Sequence, residues 1–206
     1  MADGSLKHMH LTLEDCKILP PPSFKGFEML ISMKLCCVEV SPELLGRLIS
    51  GCPLLEQLAL QMLDFSSGII EINAPKLKSF DFTGNINAIC LKNIPLLAKF
   101  SLAFRGWHGS DAQCHGIAKF FNSFSVLKHL HLDNHSVRVL AAAGELQTGL
   151  LFRFDSVKCL YLSGLYLSEL YNVSCVFRFM RTFPYLQYLE IKVDNSAVLG
   201  ALNFFL

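Results

Sequence analysis

One frame constrains this chain more than any other feature: a leucine, then after two residues a second apolar residue, then after one more a third. It appears as Leu30/Met33/Leu35, Leu55/Leu58/Leu60, Leu77/Phe80/Phe82, Leu97/Phe100/Leu102, Leu127/Leu130/Leu132, Val157/Leu160/Leu162 and Leu186/Leu189/Ile191. A degenerate first copy has His8 in the leading position, followed by Leu11, Leu13 and Cys16. The starts at positions 8, 30, 55, 77, 97, 127, 157 and 186 are separated by 22, 25, 22, 20, 30, 30 and 29 residues. The last two positions of each copy are two residues apart, so they share one face of a short strand. No single copy can bury that face by itself, so the copies must stack, each covering its neighbour.

A repeat of this length and frame is that of a leucine-rich repeat strand, and 36 leucines support it. The expected fold class is α/β: a leucine-rich repeat solenoid of about eight irregular repeats, with a parallel concave sheet and a mixed helical and extended convex side. Residues 1–7 form a leader, residues 8–195 the repeat domain, and residues 196–206 a tail or truncated last repeat. The clearest crossing helix runs from Ser41 to Gly51. Ser41 caps it, Pro42 suits the first turn, Leu44, Leu45, Leu48 and Ile49 face inward, and Gly51 with Pro53 stops it. A second helix is expected from about Ser110 to Asn122. A third is expected from roughly Glu169 to Thr182, with Val173, Val176, Phe177 and Met180 at helical spacing. Ile69 to Ile72 and Ile86 to Leu91 read as short extended segments, because the shortest repeats have no room for a helix.

Composition removes several classes of function. With 52% hydrophobic and 17% charged residues the chain is not disordered over most of its length. Eighteen basic residues against 17 acidic ones leave a net charge of +1, so no global field concentrates nucleic acid or an anionic bilayer. The mean hydropathy of +0.40 is high, yet no uncharged apolar run reaches the roughly 18 residues of a spanning helix. The segment Met1 to Pro20 is interrupted by Asp3, Lys7, Glu14, Asp15 and Lys17, unlike a signal peptide. The expected compartment is cytoplasmic or nuclear, with no membrane and no nucleic-acid partner.

In such a compartment the eight cysteines read as reduced core residues. Cys36 and Cys37 are adjacent and are expected on opposite sides of a strand, and no CxxC spacing occurs. The sequons at Asn134 and Asn172 read as chance matches. Trp107-His108, in the long excursion from Arg105 to Ser125, reads as part of a helical crossing, and Pro20-Pro21-Pro22 as a stiff turn.

Longer phrases carry a more specific likeness: Leu11-Thr-Leu-Glu-Asp-Cys16, Pro20-Pro-Pro-Ser-Phe-Lys-Gly-Phe27, Leu48-Ile-Ser-Gly-Cys-Pro-Leu-Leu-Glu-Gln-Leu58, Asn73-Ala-Pro-Lys-Leu-Lys-Ser-Phe80, Leu91-Lys-Asn-Ile-Pro-Leu-Leu97 and Phe183-Pro-Tyr-Leu-Gln-Tyr-Leu-Glu-Ile191. From about Leu6 to Val193 the chain resembles the leucine-rich region of plant F-box/FBD/LRR-repeat proteins. The resemblance implies a non-enzymatic protein–protein recognition domain, similar to the substrate-binding region of an SCF-type ubiquitin-ligase receptor. In that family an F-box docks on a Skp-type adaptor. This chain is expected to lack the F-box and the FBD segment, so adaptor binding is expected only of a longer form. The alternative is a stand-alone interaction protein, or a competitor, without coupling to a ligase.

Strand residues between the inward positions face the opposite side, the surface that repeat stacks use for binding. The expected site lies on its C-terminal half: Lys99, Ser101, His129, His131, Asp133, Tyr161, Ser163, Tyr188, Glu190 and Lys192, for a protein or peptide substrate. Tyr161 and Tyr188 offer broad faces with a polar tip. His129, His131 and Asp133 alternate along one strand, with Cys159 beside His129 on the next, a set with zinc-ligand chemistry. Two surface histidines with no neighbouring group evident to orient their rings are the simpler reading, so no metal is expected. No nucleophile elbow, Gly-rich phosphate loop or HExxH occurs. Cys114-His115 are sequence neighbours, not a spatial Cys/His pair. Neither catalytic residues nor a cofactor are expected.

Overall fold

A computed structural model of the chain describes residues 9–19, 24–61, 68–104, 124, 126–146, 153–166 and 170–194. The leader, the helix about residues 110–122, Trp107-His108, the triple proline and the tail from residue 195 lie outside the described residues. Every copy of the frame forms a strand. They are β1 (Met9–Glu14), β2 (Leu30–Cys36), β3 (Gln57–Gln61), β5 (Ser79–Gly84), β7 (Lys99–Phe104), β8 (His129–Asp133), β9 (Cys159–Leu165) and β10 (Tyr188–Val193). They build one eight-stranded sheet in the order β1-β2-β3-β5-β7-β8-β9-β10, and every pairing is parallel.

Turn chemistry sets where each strand begins. Before four of them the sequence reads apolar-Pro-x-Leu, and the leucine N–H donates to the carbonyl three residues back. These bonds are Leu55 to Cys52 at 3.1 Å, Leu77 to Ala74 at 3.0 Å, Leu97 to Ile94 at 3.2 Å and Leu186 to Phe183 at 3.4 Å. Proline at the second turn position has its φ preset for such a turn. Val157 makes the same bond to Phe154 at 3.3 Å, with Asp155 in place of proline. From β3 onward one carbonyl ties each repeat to the next. Glu56 O accepts from Lys78 N and Ser79 N, and Lys78 O, Ala98 O, Lys128 O and Lys158 O each accept from two successive N–H groups in the same way. Register is therefore fixed at the start of each strand, and the apolar rows align: Leu58 with Phe80, Phe80 with Phe100, Leu130 with Leu160.

The core lies on one side of this sheet. Phe80 packs against Phe82 and Phe100 with ring centroids 5.8 and 5.6 Å apart, and Phe100 reaches Phe124 at 5.5 Å. A second aromatic cluster joins Phe154, Phe179 and Phe183, with Phe154 and Phe183 stacked at 4.8 Å. Covering elements vary with repeat length. Helix α1 (Pro42–Ser50) is capped by Ser41, whose Oγ accepts from Leu44 N at 3.3 Å, and ends at Gly51. That end is crowded: a Cβ on Gly51 would lie 2.3 Å from Lys25 O, so the turns of two repeats touch backbone to backbone only because Gly51 and Gly26 lack side chains. In the short repeats the cover is a parallel strand pair, β4 (Ile70–Asn73) and β6 (Ile89–Lys92). A 3-10 turn at Ile86–Ala88 precedes β6, so only the second part of the expected Ile86–Leu91 segment is extended.

Toward the C-terminus the cover is helical: α2 (Asn134–Leu146) packs against α3 (Leu170–Met180). α3 falls in the expected region, with one correction. Its buried arc centres on Val176 and Phe179, and Phe177, about 100° round the helix from Val176, is 61% exposed. α2 was not expected from the sequence. It starts where β8 ends, and Asp133 caps it, its Oδ1 accepting from Ser136 N at 2.8 Å. Asn134 and Ser136 are buried, so the sequon at Asn134 sits in the core. A further correction concerns Cys36 and Cys37. Cys37 follows β2 with φ 52°, outside the strand's alternation, and brings its Sγ to 3.9 Å from that of Cys36. The described cysteines are all free thiols, but only Cys52 is fully buried. No described helix is long and apolar enough to cross a membrane.

Candidate protein-recognition face

The side of the sheet away from the core is built from the alternate residues of the same strands. Parallel register lines them up in rows that run across the repeats. One row passes through His10, Ser32, Gln57, Ser79, Lys99, His129, Cys159 and Tyr188; the next through Thr12, Lys34, Ala59, Asp81, Ser101, His131, Tyr161 and Glu190. All of these side chains are half-buried or exposed. The rows are those expected from the frame.

In the N-terminal half, the charged and amide groups tie to each other across strands. Lys34 Nζ donates to Glu14 Oε1 at 3.1 Å, and Gln61 Nε2 to Asp81 Oδ2 at 3.3 Å. The Glu14 hydrogen bond, followed by its charge, holds the Lys34 ammonium above its ordinary pKa. These contacts run diagonally between rows, so they depend on a register that single strands do not disclose.

The C-terminal half is organised around aromatic groups. His131 is bracketed by two hydroxyls: Nδ1 lies 3.3 Å from Ser101 Oγ and Nε2 lies 2.9 Å from Ser163 Oγ. Each hydroxyl can donate or accept, so both ring nitrogens find a partner and the ring plane is held across three strands. Beside it, the rings of Tyr161 and Tyr188 are 5.5 Å apart at 47°. Tyr188 OH donates to Glu190 Oε2 at 3.0 Å, and Lys192 Nζ lies 3.3 Å from Glu190 Oε1. The Tyr188 hydrogen bond first, and that of Lys192 second, hold the Glu190 carboxyl below the usual carboxylate range. The same bond pushes the Tyr188 phenol up. Lys99 and His129 are register neighbours, and Lys99 is exposed with no ion pair to a described residue.

A profile of the leucine-rich repeats of FBD-associated F-box protein At5g56370 matches residues 3–191. The chain belongs to this F-box-associated leucine-rich repeat family. F-box/FBD/LRR-repeat protein At1g13570 of Arabidopsis thaliana is 42% identical over 98 residues, 48% of this chain and 23% of that protein. The match thus spans less than a quarter of that relative's length.

Not every expected site residue of this family member is available to a ligand. Asp133 Oδ1 accepts from Ser136 N, from Ser136 Oγ and, at 3.3 Å, from Phe104 N. The single Ser136 hydroxyl proton is shared between Asp133 Oδ1 and Leu102 O, the latter 3.0 Å away, and Ser136 Oγ accepts from Phe104 N at 3.1 Å. β7 and β8 pair only as far as Leu102 and Leu132. Asp133 and Ser136 supply the acceptors that the strand ladder no longer gives Phe104, so Asp133 serves the helix start. His131 is likewise taken by its two serines, which separates it from the zinc-like set of His129, Asp133 and Cys159. Among the described residues no three His, Cys, Asp or Glu side chains are grouped to hold a metal ion.

Proposed function

We propose that the C-terminal half of the polar face is a non-enzymatic protein-recognition surface, the substrate-holding part of an SCF-type ubiquitin-ligase receptor working in the cytoplasm or nucleus. The Tyr161–Tyr188 pair beside the fixed His131 ring carries this reading. Adjacent aromatics with a hydrogen-bonding tip, already held in place by neighbours, give contact area at low ordering cost. Helices about 10 Å across cover one side of strands spaced about 4.8 Å apart. Repeats joined in that way bend toward the narrower side, forming a solenoid with Lys99, Ser101, His129, His131, Tyr161, Ser163, Tyr188, Glu190 and Lys192 on its concave surface. The Skp-type adaptor would be engaged by an F-box in a longer form of the chain, and the repeats would present a protein or peptide to the ligase.

Site-specific photo-crosslinking tests the surface directly. A crosslinker placed at Tyr161 or Lys192 is expected to trap one discrete protein from plant extract. Placed at Glu71 or Lys76, away from the polar face, it is expected to trap none of that species. Equal capture from both sides would overturn the assignment.

A further inference from the structure

Adjacent residues of a strand point to opposite faces, so neighbouring thiols meet only where the backbone leaves that alternation between them. It does so at Cys37, whose φ of 52° places it in the left-handed region directly after β2. The turn is held from both sides. Cys37 N donates to Gln61 O at 3.0 Å, and Asp15, with φ 50°, makes the corresponding turn after β1 and donates to Cys36 O at 3.0 Å. The two Sγ atoms lie 3.9 Å apart, and both residues are half-buried.

We propose that Cys36 and Cys37 form a vicinal dithiol site that captures a trivalent arsenical, R–As=O, between their sulfurs. Geometry separates this from disulfide formation. Trivalent arsenic is pyramidal, so two sulfurs bonded to it stand closer than the roughly 3.8 Å of two thiolates on a tetrahedral zinc, and these sulfurs, 3.9 Å apart, need only close slightly to reach it. A disulfide prefers Cα atoms about 4.4–6.8 Å apart, whereas adjacent Cα atoms are fixed at about 3.8 Å, so the closed S–S form is strained and easily reduced. Soft sulfur ligands select soft, thiophilic centres.

The reaction balances without an oxidant. Two As–S bonds replace As=O, both thiol protons leave with the oxygen as water, and arsenic stays trivalent. It starts from thiols, and the hydrogen bond with Cys36, then burial, pushes the Cys37 thiol up and keeps it protonated. Cys36 aligns with Glu14 on one side and Gln61 on the other, so the captured group would sit at the N-terminal end of the polar face, away from Tyr161 and Tyr188.

Phenylarsine oxide added to the full chain, followed by intact mass measurement and peptide mapping, tests the site. The expected product is one phenylarsenic group, gained with loss of one water and mapped to Cys36–Cys37. It should survive excess glutathione and be released by dimercaptopropanol. Cys36→Ser and Cys37→Gly should each lose the glutathione-resistant adduct, and the glycine keeps the left-handed turn, so an unchanged melting curve separates lost thiol from lost fold. A resistant adduct that maps to another of the eight cysteines, one that persists in both variants, or its absence from the parent chain would overturn the proposal.

Discussion

Strands inside the sheet and the last of its described strands carry the same frame and meet different fates. In β8 and β9 the paired frame residues Leu130, Leu132, Leu160 and Leu162 are at most 1% exposed, whereas Leu189 and Ile191 of β10 are 36% and 39% exposed. The residue types are equivalent, so the difference is one of position. A frame leucine gains its full transfer free energy only when a neighbour lies on each side. The same edge holds the Tyr161–Tyr188 pair, so the least covered apolar strand adjoins the most aromatic part of the polar face.

The largest test of that contrast is Phe80→Ala. It removes a buried ring that touches Phe82 and Phe100, and is expected to cost about 3–5 kcal/mol in denaturant unfolding. An intermediate cost is expected for Ser136→Ala. It takes one acceptor from Phe104 N and the side-chain donor from Leu102 O at a buried point, for about 1–3 kcal/mol. A change of the size seen for Phe80→Ala would mean that the start of α2 organises the interior as strongly as the aromatic rows do. The smallest is Ile191→Ala, under about 1 kcal/mol because much of the side chain is already in water. If that substitution cost as much as Phe80→Ala, the contrast between interior and edge would be lost.

Much of this architecture was legible because repeat spacing and period-2 alternation are local signals. They located all eight strands, the two rows on the polar face and the capped helix after Ser41. Proline turns explain the accuracy of the strand starts, since Pro53, Pro75, Pro95 and Pro184 each precede one. α2 escaped because its cap, Asp133, is also the last residue of a strand, and the alternation that placed Asp133 on the polar face concealed its reach to Ser136. Phe177 was misplaced because helical spacing gives a face without saying which edge of that face meets the core. The thiol pair escaped because left-handed backbone at a non-glycine residue has no sequence marker as plain as glycine. Within the candidate site, residue types predicted the aromatic and imidazole groups. The Ser101–His131–Ser163 bracket needed strand order and diagonal register, which no single repeat contains.

The in-step rows have a metrical consequence. Successive strands advance by about 4.8 Å, while an extended polypeptide advances by about 3.4 Å per residue. A chain lying straight across the polar face would fall out of phase with the repeats and return to phase after about five strands and seven residues. Like two scales of slightly different pitch, the pairing would let one tyrosine or histidine address a ligand side chain closely while the next repeat meets peptide backbone. Changing a single repeat would then alter which residue of the ligand is read, not merely how tightly the whole is held.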